Sequence, residues 1–192
     1  MKKIDKKKLE KSAKLLLEAI GEDTNREGLL ETPRRYAKYM AEIFEGCLYT
    51  NDEIAKMFDK QFEVGSDDLV IMNDMTVFST CEHHLALIYN GEITIAYLPN
   101  KGKVLGLSKF ARIVELVCKR PQIQEKIMLD ISEIFILLGI DDHMIVMDKA
   151  KHACMTTRGV KNYTSSTRTQ RTQGKFRKDP KLEDKVLHSI KK

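Results

Sequence analysis

The chain has 192 residues, with 33 Lys and Arg against 28 Asp and Glu, and a formal net charge of +5 at pH 7. At 42% hydrophobic and 32% charged it is too apolar for a disordered chain and too charged for a membrane protein. Its longest apolar run, Ile134 to Ile140, falls far short of the roughly 18 residues that a membrane-spanning helix needs.

The first helix is predicted from Leu9, Ala13, Leu16, Leu17 and Ile20 at helical spacing, with Gly21 where a left-handed cap would sit. A second begins at Thr32-Pro33, carries Tyr36, Met40, Ile43 and Phe44 on one face, and stops at Gly46. From about Asp68 the pattern turns to strand. Leu69 to Ile71 with Met75 to Phe78, and Ile93 to Tyr97, form a hairpin whose turn is expected at Asn90-Gly91. A helix capped by Ser108 then carries Phe110, Ile113, Val114 and Val117, and another after Pro121 carries Ile127, Ile131, Ile134 and Phe135 and ends at Gly139. A second hairpin follows, from Met144 to Met155, around Gly159, and back through a polar outer strand between Tyr163 and Thr172. The charged tail is expected to be helical from Leu182 to Ile190. The fold class is α+β: an antiparallel sheet of two hairpins, two helices on one face, and an N-terminal helical region. Open sheet edges invite pairing with further copies, so a homo-oligomer is expected.

The densest chemical signal is Cys81-Glu82-His83-His84. Cys81 and His84 stand in the C-x-x-H spacing with which one tight turn presents two ligands to a zinc ion. His152 and Cys154 lie on an expected strand, where residues two apart share a face and reach one site. With Cys81, His84 and Cys154 as ligands the count is three, the arrangement that leaves a position for water. His83 and His152 then stand beside the metal, where a histidine exchanges protons near neutral pH. Ser108, Lys109 and Arg112, at the start of a helix, make a phosphate seat, and Arg158 brings a guanidinium fork after Cys154. Gln124 and Glu125 open the helix after Pro121, where an acid either complements the helix dipole or pairs with a guanine edge. Cys47 and Cys118 read as core residues, and His143 and His188 as solvated loop or tail residues. The four cysteines, in a chain without a signal-peptide pattern, point to reduced thiols and the cytoplasm.

The chain resembles the GTP cyclohydrolase I family in Glu31-Thr32-Pro33-x-Arg35, Ser79-Thr80-Cys81-Glu82-His83-His84 and Ile95-Ala96-Tyr97-x-Pro99, and again in Gly106-Leu107-Ser108-Lys109, Arg120-Pro121-Gln122-x-Gln124-Glu125 and His152-x-Cys154-Met155-x-x-Arg158-Gly159. The resemblance implies the tunnelling fold, in which sheets of several subunits close into a barrel, and a homodecamer of two stacked pentamers. It implies that GTP and water give formate and 7,8-dihydroneopterin triphosphate, the entry step of folate biosynthesis. Residues 1–60 would be the N-terminal helical region and 61–192 the catalytic unit. The resemblance makes Cys81, His84 and Cys154 the ligands of Zn2+, which would make hydroxide available for attack at guanine C8. It makes His83 the proton carrier at the opening imidazole ring and His152 the residue that assists ribose opening. Glu125 and Gln124 would hold guanine, and Ser108, Lys109, Arg112 and Arg158 the triphosphate, with Arg35 reaching it from a neighbouring subunit.

Two other readings stay open. A zinc hydrolase or deaminase could act on another purine, although the His-x-Glu and Pro-Cys-x-x-Cys signature of zinc deaminases is absent. A zinc-stabilised nucleic-acid module could use the basic strand Arg168 to Lys178, although only Tyr163 and Phe176 offer stacking there. The expectation is no nucleic acid and no membrane.

Overall fold

In the computed structural model, which describes residues 2–190, Asp5 caps the first helix by accepting from the Lys8 amide at 3.0 Å. This helix, α1 (Lys6–Ala19), packs on α2 (Thr32–Ile43) through the small residues Ala13 and Ala37. The expected apolar stripe of α1 is only partly covered, because α2 is its main neighbour: Leu16 and Ile20 stay exposed. Thr32 lies inside α2 rather than capping it, and the helix ends at Ile43, before a 3-10 turn over Glu45–Leu48. Next comes α3 (Asn51–Met57), which the sequence reading lacks although its signal is there. Thr50 and Glu53 form a reciprocal capping box.

The strands β1 (Gln61–Glu63) and β4 (Lys103–Leu105) pair into a small antiparallel ribbon. The main sheet has the order β5-β2-β3-β6-β7. Its members are β2 (Val70–Cys81), β3 (Ala86–Tyr97), β5 (Pro121–Gln122), β6 (His143–His152) and β7 (Thr167–Gln173). The β2, β3, β6 and β7 ladders are antiparallel as expected, and the two-residue β5 adds a parallel partner to the end of β2.

The first hairpin turns at Glu82–Leu85, not at Asn90-Gly91. Asn90, at φ +56°, is the extra residue of a bulge inside β3, where the register shifts between Val77 and Ser79. Gly91 makes room for its neighbours: a Cβ there would lie 2.6 Å from Met147 Cε and 3.1 Å from Val77 Cγ2. Asp74 on β2 and Lys149 on β6 sit at matching irregularities, also at positive φ. Bulges on neighbouring strands raise the local twist, and the sheet curls.

Two helices, α4 (Leu107–Cys118) and α5 (Gln124–Leu137), cover one face of the sheet over a core of Ile93, Ile95, Phe110, Ile131, Phe135 and Met147. The tail forms α7 (Pro180–Ile190), and with Phe176 it covers the opposite face over Ala96, Met144 and Val146. The alternation of Met144 and Val146 with Ile145 and Met147 along β6 serves both cores. His143, expected as a solvated loop residue, is wholly buried at the start of β6, between Ser132 Oγ at 2.7 Å and the Ile140 carbonyl at 2.8 Å. Cys118 is buried, as read from its helical face, while Cys47 is half-buried in the 3-10 turn after α2. Among the described residues no helix is long and apolar enough to cross a membrane.

Candidate functional site

One end of the sheet gathers most of the chemistry-bearing residues. Cys81 closes β2, paired with Ala86 on one side and with Gln122 of β5 on the other, and the Glu82 amide donates to the Gln122 carbonyl at 3.1 Å. The short β5 sets the first turn of α5, with Gln124 and Glu125, immediately beside that strand end. His152 closes β6 opposite Ile88. The chain then leaves the sheet, because β7 begins at Thr167, opposite Ala150, and offers no outer ladder beyond it. It winds into the single turn α6 (Ala153–Thr156). Cys154 is therefore on a helical turn, not on a strand face shared with His152. The turn is held by the Thr157 hydroxyl donating to the Ala153 carbonyl at 2.6 Å and by Tyr89 Oη donating to Thr156 Oγ1 at 3.1 Å.

The fold brings Cys81 and Cys154 together, with His152 rather than the expected His84 as the imidazole beside them. The ligand atoms of Cys81, His152 and Cys154 all lie within 4.8 Å of one another. Both cysteines are free thiols. Burial, reinforced by the neighbouring Cys81, pushes the Cys154 thiol above its ordinary value. Two thiols and an imidazole are donors suited to a borderline-soft divalent ion, so the set fits zinc chemically. His83 Nδ1 lies 3.7 Å from Cys81 Sγ. His84 stands apart from the trio and accepts at Nε2 from Arg158 Nη1 at 2.8 Å, since a guanidinium only donates. Arg158 also lies close enough to Cys154 to oppose the upward push on its thiol.

The other anticipated residues fall out differently. Burial holds the His152 imidazole below its ordinary value, with Glu125 pulling the other way. That places the exposed Glu125 carboxylate near His152. Gln124 is buried, and its carboxamide is engaged at both ends, with His152 and with β7. Ser108 does not cap α4: Gly106 holds that position, and Ser108 is exposed in the first turn. Lys109 Nζ reaches back to the carbonyls of Phe58, at 3.4 Å, and Lys60. Arg112 is exposed one turn along, without an ion-pair partner among the described residues. Arg35 is exposed on α2, which packs against α1 and the flanking 3-10 turns. A groove of about 680 Å3 between α2, β2 and α4 is lined by Tyr39, Phe78, Val114 and Cys118 and includes none of the trio.

Sequence reasoning missed three contributors. Arg120 is a structural clamp, donating to Asp130, Asn51 and the carbonyls of Gly46 and Tyr49. Thr167 and Thr169 of β7 hold Gln124, the first through its backbone carbonyl, which leaves no sequence signal, and the second through its hydroxyl, whose signal was the run of Thr in the polar outer strand.

A family model described as GTP cyclohydrolase I matches residues 9–191. GTP cyclohydrolase 1 of Clostridium acetobutylicum is 44% identical over 189 residues, 96% of each chain. The protein of the same name from Ruminiclostridium cellulolyticum is 47% identical over 190 residues, 96% of this chain and 97% of its own. That of Clostridium botulinum is 44% identical over 190 residues, 96% of each chain.

Proposed function

The chain belongs to the GTP cyclohydrolase I family, and we propose that the cleft between the Glu82–Leu85 turn and α6 is where it converts GTP and water to formate and 7,8-dihydroneopterin triphosphate. The observation that carries this placement is the convergence of Cys81, Cys154 and an imidazole at one strand end, with Arg158 beside them. Zn2+ is the ion proposed here, held by Cys81 and Cys154 with His84 as third ligand. When bound, it supplies Lewis acidity and makes hydroxide available from water near neutral pH.

The chain's own side chains do the rest. His83, exposed on the turn, gives and takes the proton at the guanine imidazole ring as its C–N bond opens, and His152 carries the proton for ribose opening. Glu125 accepts from the guanine N–H groups. Arg158 and Arg112 pair with the triphosphate, and Ser108 and Lys109 join them once the Lys109 ammonium leaves the Phe58 and Lys60 carbonyls. Arg35 would reach the triphosphate from a neighbouring subunit. The exposed edge of β7 and the curl of the sheet favour closing of several chains into a barrel, with a homodecamer as the proposed assembly and the cytoplasm as its compartment. Arg168 is paired with Asp148 and Arg171 is half-buried, which leaves β7 little free basic surface for nucleic acid.

The distance trio favours a second assignment of the third ligand, His152 in place of His84. Zinc content per chain, with formate and pterin fluorescence, separates the two. Cys154→Ser should lose metal and turnover together. If His84 is the ligand, His84→Ala loses zinc while His152→Ala keeps it and loses turnover; the reverse pattern transfers the ligand role to His152.

A further inference from the structure

Gln124 is only 2% exposed, and its Nε2 lies 3.1 Å from Thr169 Oγ1, 3.3 Å from the Thr167 carbonyl and 3.5 Å from the Met147 carbonyl. Carbonyl oxygens only accept, so the amide nitrogen must face β7 and β6, and the amide oxygen must face the other way. There Oε1 lies 3.0 Å from His152 Nε2. An amide oxygen has no proton to give. His152 Nε2 therefore carries the hydrogen, and the neutral ring keeps its lone pair on Nδ1.

We propose that Gln124 is a positioning residue for the GTP reaction: its carboxamide, anchored on the Thr167 carbonyl and the Thr169 hydroxyl of the edge strand, fixes the tautomer and ring orientation of His152. This rests on the reading that His152 moves a proton during turnover. It also gives the polar outer strand a task. The Thr169 hydroxyl supplies a side-chain acceptor that an apolar residue there would lack, beside the backbone carbonyls of Thr167 and Met147. Glu125 is then the guanine partner, and Gln124 acts on the substrate only through His152.

The test is Gln124→Met, which keeps the side-chain length and removes both ends of the bridge, made alone and together with His152→Ala. An outer partner that orients a functional histidine is worth on the order of 10–100-fold. The expected result is a fall of that size in kcat, with KM for GTP within about twofold, zinc content unchanged, and less than about a twofold further loss when His152 is already alanine. A crystal structure of the variant should show the His152 ring rotated from its place. Thr169→Val removes one anchor only, and should lower kcat by a smaller factor at unchanged KM; it decides the matter if Gln124→Met does not fold. A raised KM with kcat retained would make Gln124 a guanine contact and overturn the proposal, as would losses that multiply in the double variant. Full activity in His152→Ala would instead remove the reading of His152 on which the proposal stands.

Discussion

Replacing Arg120 by methionine removes a guanidinium whose side chain is 13% exposed and which donates at 2.8 to 3.1 Å to Asn51, Asp130 and the carbonyls of Gly46 and Tyr49. These bonds tie the turn after α2 and the start of α3 to α5. Breaking a buried ion pair costs about 3–5 kcal/mol when the remaining charge is stranded. Asp130 is not stranded here, because Lys126 Nζ at 2.9 Å and Gln122 Nε2 at 2.8 Å remain. Burial alone would push its carboxyl up, yet those hydrogen bonds hold it below the ordinary value. The cost then comes mainly from four lost bonds at about 1 kcal/mol each, two of them to backbone carbonyls, offset in part by water entering. About 3 kcal/mol is expected, or a fall in melting temperature on the order of 6–12 °C for a chain of this size. Lys126→Met is the control, since that ammonium is 50% exposed and its pair is worth about 1 kcal/mol or less. Urea unfolding at fixed protein and zinc concentrations measures both. Arg120→Met within about 1 kcal/mol of the parent, or no costlier than Lys126→Met, would refute the clamp.

Gly46→Ala should be more damaging than its size suggests, because the new Cβ would lie 1.9 Å from the Leu116 carbonyl oxygen and 2.8 Å from that of Lys119. Backbone cannot rotate away, so the end of α4 must shift at a cost of about 3 kcal/mol, and an unchanged melting temperature would contradict the close approach. For His143, burial lowers the folded-state value below 6.5, against the pull of the Ile140 carbonyl. The unfolded chain therefore binds the proton more readily, so this stability is fully present above about pH 6.5 and drains away as pH falls below it. Melting temperatures between about pH 7.5 and 5 should fall more steeply for the parent than for His143→Gln, and parallel curves would count against it. Glu125→Gln should raise KM for GTP by about tenfold at retained zinc content; normal kinetics would reduce the carboxylate to a helix-dipole partner.

The long amphipathic elements were readable from spacing alone: α1, α2, α4 and α5 stand where their apolar residues recur, and Gly21 and Gly139 end their helices at positive φ. What misled was local chemistry overruled by packing. Asn90-Gly91 has the composition of a tight turn, but the glycine makes room for Met147 and the asparagine fills a bulge, so the turn moves to the Cys81 motif. His143 sits beside Asp141 and Asp142 and reads as a loop, yet β6 carries it into the core against Phe135. Two-residue β5 has no periodicity to detect, since only its parallel pairing with Thr80 and Cys81 defines it. The site motifs were legible because ligand residue types cluster in the chain; the hydrogen-bond roles of Gln124 and Arg120 were not, because the partners of Gln124 lie 23 to 45 residues away and those of Arg120, apart from Asp130, 69 to 74.

Sequence spacing and spatial convergence also reach the same pair of thiols by different physics. On a strand, His152 and Cys154 would share a face by period two. In the structure His152 closes the strand and Cys154 follows on a helical turn, which swings its thiol back toward the end of β2. The turn is possible because β7 starts late and the bulge at Lys149 has already bent β6. Tyr89, one residue beyond Ile88 on β3, reaches across to Thr156 and holds that turn against the same ladder that positions His152. One imidazole and two thiols are thus placed by the two strands that flank β3 and a single tethered turn. An irregularity in the sheet, not its regular alternation, is what lets them meet.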